Sequence, residues 1–230
     1  MAGYLIEYRF HGYAKAFARD SIWDTAKKFR VSGVTKRGHA VPHMTLFGPF
    51  NTRQEKKMVS EVVKACQNYS LVPFRIKGFG HFGKEVIYIR IQPSKELEEL
   101  RRDISSRLLR LADAKQFDEN YDFSFHATVA FKDIGRKFDE IWEYIQQRNE
   151  PDARQHLLRV TIVKGGRILG EYDLMQRRLL TRVEALSKHQ WRRTIELLKS
   201  KIDDYESDLE EKPTIVEKTV DRLKWYFRKL

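Results

Sequence analysis

The sequence predicts an α+β fold made of two matching β-α-β-α-β halves, followed by a helical extension. Three observations carry this reading. Strand-like and helix-like periods alternate in the same order twice within the first 181 residues. Equivalent features of the two halves lie about 83 residues apart. From Arg182 onward the pattern is helical and charge-rich.

The first half opens with YLIEYRF, Tyr4 to Phe10, which reads as a strand, and continues as a helix to about Phe29. The loop VSGVTKRGHA leads into the apolar run VPHMTLFGPF, a second strand. A helix from about Thr52 to Tyr69 and a strand from about Val72 to Phe79 complete the unit. The second half opens with EVIYIRIQ, where Val86, Tyr88 and Arg90 alternate with Ile87, Ile89 and Ile91. Pro93-Ser94 then starts a helix, with Ser94 as N-cap and Leu97, Leu100, Ile104, Leu108 and Leu111 at helical spacing. The run FSFHATVAF, a helix from about Lys137 to Gln147 and a strand from about His156 to Val163 follow, and Gly165-Gly166 turns the chain into ILGEYDLMQ, a further strand. The expected product is two pseudo-symmetric lobes, about 1–83 and 84–181, with antiparallel or mixed sheets around a central cleft and terminal strands free to intertwine.

Residues 182–230 read as a C-terminal α-helical hairpin. Trp191, Ile195, Leu198, Ile202, Tyr205 and Leu209 follow a 4-3-4-3-4 spacing, the seam of a coiled coil. Pro213 breaks that helix, and Val216, Val220, Leu223, Phe227 and Leu230 form a second seam. Such a hairpin can fold back on the core, self-associate or hold a protein partner.

Composition narrows the function classes. With 41% hydrophobic residues the chain can bury a real core. Its net charge of +12 is concentrated: residues 1–181 carry +10 and the extension +2, which favours polyanionic partners, RNA first. A single cysteine, Cys66, excludes an intramolecular disulfide framework and reads as a small core residue. The N-terminal stretch lacks a signal-peptide apolar region, and no run approaches the length of a membrane span, so a cytoplasmic protein is expected. No glycine spacing matches a phosphate-binding P-loop.

The chemistry lies in a tripeptide pattern that occurs twice, His43-Met44-Thr45 and His126-Ala127-Thr128. Alternate residues of a strand share a face, so each copy sets an imidazole beside a hydroxyl. Two imidazoles can act as acid and base near neutral pH, and two hydroxyls can hold an anionic oxygen. Neither motif has the third ligand that a catalytic zinc site needs; His39 and His81 could be recruited, but neither metal nor cofactor is expected. Lys36, Arg37 and His39, before the first motif, could reach phosphates. Phe47, Phe50, Phe82 and Phe131 could stack on a base, and Lys132 follows the second motif strand.

With HMTL at His43 to Leu46 and HATV at His126 to Val129, residues 1–181 resemble the 2H phosphoesterase superfamily, nearest to the 2′-5′ RNA ligases and 2′,3′-cyclic nucleotide phosphodiesterases. The helical extension lies outside the resemblance. The resemblance implies metal-independent attack on a 2′,3′-cyclic phosphate to leave a 2′-phosphate, or the reverse reaction with a 5′-hydroxyl strand to make a 2′-5′ linkage. It implies His43 as acid and His126 as base in hydrolysis, with Thr45 and Thr128 donating to the non-bridging oxygens. The alternative is a non-catalytic RNA-binding or scaffold protein that recognises phosphate in the cleft and a partner through the tail. Intact His and Thr in both copies argue against it.

Overall fold

The structure, a computed structural model, describes residues 3–35, 40–112 and 123–209, with side chains described to 202 in the last helix. The first half forms β1 (Tyr4–Arg9), α1 (Gly12–Phe29), β2 (His43–Phe50), α2 (Glu55–Cys66) and β3 (Pro73–Phe82). The second forms β4 (Val86–Pro93), α3 (Lys95–Leu109), β5 (His126–Phe131), α4 (Phe138–Gln146), β6 (Asp152–His156) and β7 (Arg159–Lys164). Next come β8 (Arg167–Asp173), β9 (Arg178–Thr181), α5 (Arg182–Ala185) and α6 (Lys188–Leu209). Three pairs of equivalents, α1 with α3, β2 with β5, and α2 with α4, each start 83 residues apart.

Local chemistry explains these boundaries. The Ser94 hydroxyl accepts the Leu97 amide at 3.3 Å, and Glu96 and Glu98 occupy the first turn of α3 where its dipole favours anions. Leu97, Leu100, Ile104 and Leu108 give that helix one buried face. Met58, Val62, Ala65 and Cys66 do the same for α2, and burial pushes the Cys66 thiol pKa up, in keeping with a core residue.

The described strands form two antiparallel sheets, ordered β2-β1-β7-β8-β9 and β5-β4-β3-β6. The sequence halves are therefore not the spatial lobes. β3, from the first half, pairs with β4, and β7, from the second, pairs with β1. The stretch expected as one strand from about His156 is two, broken at Leu157 and Leu158, both fully buried where the chain passes from one sheet to the other. α1 packs on β5 and α3 on β2, so each helix seats on the other half's motif strand. A backbone contact reinforces the join: a Cβ on Gly33 would lie 1.7 Å from the Phe131 carbonyl oxygen, and the Asp133 carboxylate accepts the amides of Ser32 and Gly33 at 2.6 and 3.1 Å.

The apolar seam of α6 is used on the protein's own core as far as Ile202. Ile195 and Leu198 are buried, and Trp191 and Ile202 pack against the same cluster. Arg159 anchors the helix: it donates to Asp173 at 2.9 Å and to the Thr194 hydroxyl at 2.7 Å, and its guanidinium lies 5.0 Å from the Trp191 ring. The side chains of Tyr205 and Leu209, and the second predicted helix after Pro213, lie outside the described residues. No described helix is long and apolar enough to cross a membrane.

Candidate active site

β2 and β5 are each the edge strand of their sheet, and they pack against each other. The two motifs share one burial pattern: Met44 and Leu46, like Ala127 and Val129, are buried, while His43, Thr45, His126 and Thr128 are half-exposed. Alternation along each strand turns the apolar residues into the core and the His-Thr pair onto the other face. The two pairs thus meet where the sheets abut.

Both imidazoles are held the same way. Nδ1 of His43 lies 2.8 Å from the Val41 carbonyl, and Nδ1 of His126 lies 2.8 Å from the Ser124 carbonyl. A carbonyl only accepts, so Nδ1 carries the hydrogen in both rings, and Nε2 holds the lone pair of the neutral form. The hydroxyls of Thr45 and Thr128 have no hydrogen-bond partner among the described residues. Each motif therefore offers one exchangeable nitrogen and one uncommitted hydroxyl.

The neighbouring strands make the two copies unequal. On β1, Arg9 stands opposite His43 and Glu7 opposite Thr45. Glu7 is 3% exposed, accepts from Arg9 Nε at 2.7 Å and lies 3.7 Å from Nε2 of His43. On β4, Arg90 stands opposite His126 and Tyr88 opposite Thr128. No carboxylate takes the Glu7 position there. The Tyr88 and Phe82 rings instead pack on His126 at 5.2 and 5.0 Å. Burial lowers the His126 pKa, the Ser124 carbonyl opposes that shift, and the charge of His43 adds to it. The Glu7 carboxylate thus stands beside His43, whereas burial and neighbouring rings disfavour a positive charge on His126.

Sequence reasoning found the four motif residues but not Glu7, Arg9, Tyr88 or Arg90. Their signal was partial: Glu7 and Arg9 alternate in YLIEYR as Tyr88 and Arg90 do in VIYIR, but 81 residues apart, out of step with the repeat, so only strand pairing aligns them. The expected substrate contacts fare differently. Lys36, Arg37 and His39 lie outside the described residues. Phe47 is 2% exposed and packs edge-on against Phe50, itself buried, so both rings belong to the core rather than to a base platform. Phe131 and Lys132 sit at the far end of β5, roughly 16 Å along the strand from His126, and the Lys132 ammonium lies over the Phe131 ring at 5.1 Å. Of the four phenylalanines expected to stack, Phe82, 40% exposed, is the one whose ring packs on His126. His81 packs instead against Trp142, 4.9 Å between rings. Among the described residues no group of three His, Cys, Asp or Glu is placed to hold a metal ion.

Residues 18–167 match the family model described as the 2′-5′ RNA ligase superfamily. The chain belongs to that superfamily. This 2′-5′ RNA ligase superfamily member is 26% identical over 150 residues to a protein of Geobacillus sp. (strain WCH70) named as a phosphoesterase, a match covering 62% of this chain and 83% of the other. Similar solved structures include E. coli LigT complexed with 3′-AMP, with 14% identity, 71% of this chain and 87% of that chain covered, and a TM-score of 0.45. The ns2 PDE domain of MHV has 14% identity, 71% and 99% coverage and a TM-score of 0.45. Kluyveromyces marxianus Usb1 has 10% identity, 78% and 97% coverage and a TM-score of 0.44. The superfamily places the chain among phosphoesterases.

Proposed function

We propose that this superfamily member opens 2′,3′-cyclic phosphates at RNA ends, leaving a 2′-phosphate and a free 3′-hydroxyl. The observation that carries the proposal is the matched pair of imidazoles, each fixed through Nδ1 at 2.8 Å and unequal in its neighbours. Neutral His126 takes a proton from the attacking water through Nε2 as the new P–O bond forms. His43, protonated beside Glu7, gives its Nε2 proton to the departing 3′-oxygen as the P–O3′ bond breaks. Each positioned proton transfer is worth about 10²–10⁴-fold in rate. Thr45 and Thr128 donate to the non-bridging oxygens as charge builds there. Phe82 offers a ring face to the terminal base. With a 5′-hydroxyl strand in place of water, the same sequence makes a 2′-5′ linkage: His126 takes the 5′-hydroxyl proton as the new P–O bond forms, and His43 protonates the departing 3′-oxygen.

The test is turnover, in EDTA, of an oligoribonucleotide ending in a 2′,3′-cyclic phosphate, with the product phosphate located by phosphorus NMR. The expected product is the 2′-phosphate, and His43→Ala and His126→Ala each reduce the rate at least a hundredfold. An inert wild-type protein, or variants as fast as wild type, would end the proposal.

A further inference from the structure

Across the site, strand order sets four cationic or titratable side chains in a row: Arg9 on β1, His43 on β2, His126 on β5 and Arg90 on β4. The inner two flank the reacting phosphate in the reading above, on which this inference rests. The outer two stand one strand spacing, about 4.8 Å, farther out on either side. They are not equivalent. Arg9 is already committed, its Nε 2.7 Å from the Glu7 carboxylate. Arg90 is exposed and has no partner among the described residues, although it lies opposite His126 in register and so shares its face. An unneutralised guanidinium beside a phosphate-handling imidazole is matched by a second anion, and its planar fork suits two phosphate oxygens at once.

We propose that Arg90 binds the phosphodiester next to the reacting phosphate, and so selects the end of an RNA strand over a cyclic mononucleotide. A mononucleotide 2′,3′-cyclic phosphate has only the reacting phosphate. A strand end has a further one, and Arg90 is the uncommitted cation placed outside the catalytic pair on the His126 side. Phe82, on the same side of the site, spans the gap with a ring for the intervening base.

The experiment compares a 2′,3′-cyclic mononucleotide with a dinucleotide carrying the same cyclic terminus, for wild type, Arg90→Gln and Arg90→Lys. Wild type should favour the dinucleotide at least tenfold in kcat/KM. Arg90→Gln should erase that preference by raising KM for the dinucleotide at least tenfold more than for the mononucleotide, and Arg90→Lys should restore part of it. The salt dependence of kcat/KM for the dinucleotide should lose a slope of about 0.7, one phosphate contact. Thermal melting confirms that the variants fold. Equal wild-type rates on the two substrates overturn the Arg90 assignment and leave the cyclic-phosphate reading standing. Equal losses on both substrates in Arg90→Gln also overturn it, since Arg90 then acts on the reacting phosphate. Wild-type protein inert on both substrates removes the cyclic-phosphate reading and the assignment together.

Discussion

The buried carboxylate of Glu7 lies 3.7 Å from Nε2 of His43, while the matching place beside His126 is taken by Tyr88. Two halves that agree in their motifs differ in the charge next to them. In the proposed reaction that difference is what assigns one side chain as acid and the other as base.

Glu7→Gln keeps the shape and an acceptor for Arg9 but removes the charge that faces His43. An interaction of about 1.4 kcal/mol is a factor of ten, and kcat at neutral pH should fall by about that much with little change in KM. Steady-state kinetics on a cyclic-phosphate oligonucleotide check this. A variant as fast as wild type would mean that the carboxylate only positions Arg9.

The proposed base, His126, has its own signature. Burial, aided by the nearby His43 charge, holds the His126 pKa below the ordinary 6.5. A base works when neutral, so activity rises as pH climbs through its pKa. The acid limb of kcat/KM should therefore lie below 6.5. Imidazole NMR should show His126 titrating at higher pH in His43→Gln, where the neighbouring charge is gone. A limb at or above 6.5 would reverse the assignment of acid and base.

These features divide by how local they are. The motif strands, the Ser94 cap and the 83-residue repeat were legible because strand alternation and helix periodicity act over a few residues. Alternation says which face a side chain takes, but not which strand lies beside it. The exchange of β3 and β7 between halves was therefore open in the sequence but not fixed by it, and with it Glu7 beside His43 and Arg90 opposite His126. Phe47 misled because a bulge between Ile6 and Glu7 shifts the pairing around it, and its ring turns inward. The seam of α6 fits a second chain or the chain's own core equally well by spacing; Ile195 and Leu198 show the core taking it.

Two further histidines make stability depend on pH. Burial lowers the pKa of His11 to about 4 and that of His156 to about 4. Between about 4 and 6.5 the unfolded chain binds protons that the folded chain refuses. Stability should therefore rise with pH through that window and level off above it, by on the order of 3 kcal/mol for each ring. His11 Nε2 donates to the His156 carbonyl at 3.3 Å, a bond available to the neutral ring. Urea unfolding from pH 4 to 7 measures the slope, and His156→Leu should remove about half of it. A flat profile in the wild-type protein would show that both rings take up protons in the folded state as readily as in the unfolded chain.

The junction between body and extension rests on Arg159. It is 5% exposed, and its guanidinium joins three elements: Asp173 on β8 at 2.9 Å, Thr194 on α6 at 2.7 Å and the Ala185 carbonyl of α5 at 3.1 Å. Asp173 is fully buried and also accepts the amides of Met175 and Gln176 at 3.0 and 2.9 Å, so it stays in place when its cation is lost. Breaking a buried pair from one side leaves an uncompensated charge and costs about 3–5 kcal/mol. Arg159→Met should therefore destabilise the protein by that amount. The double variant Arg159→Met with Asp173→Leu removes one of the two carboxylates the arginine faces, the buried Glu171 at 3.4 Å being the other, and should recover part of the loss. Because the arginine also ties down α5 and α6, the single variant should expose the segment around residues 188–202 to protease before the sheets unfold. The His43–His126 pair lies on strands remote in sheet order from β8, so cyclic-phosphate turnover at low temperature should survive. Denaturant melts and limited proteolysis, read alongside that rate, separate a loosened junction from a collapsed fold, and an unchanged melt would show that the Arg159 pair adds nothing to stability.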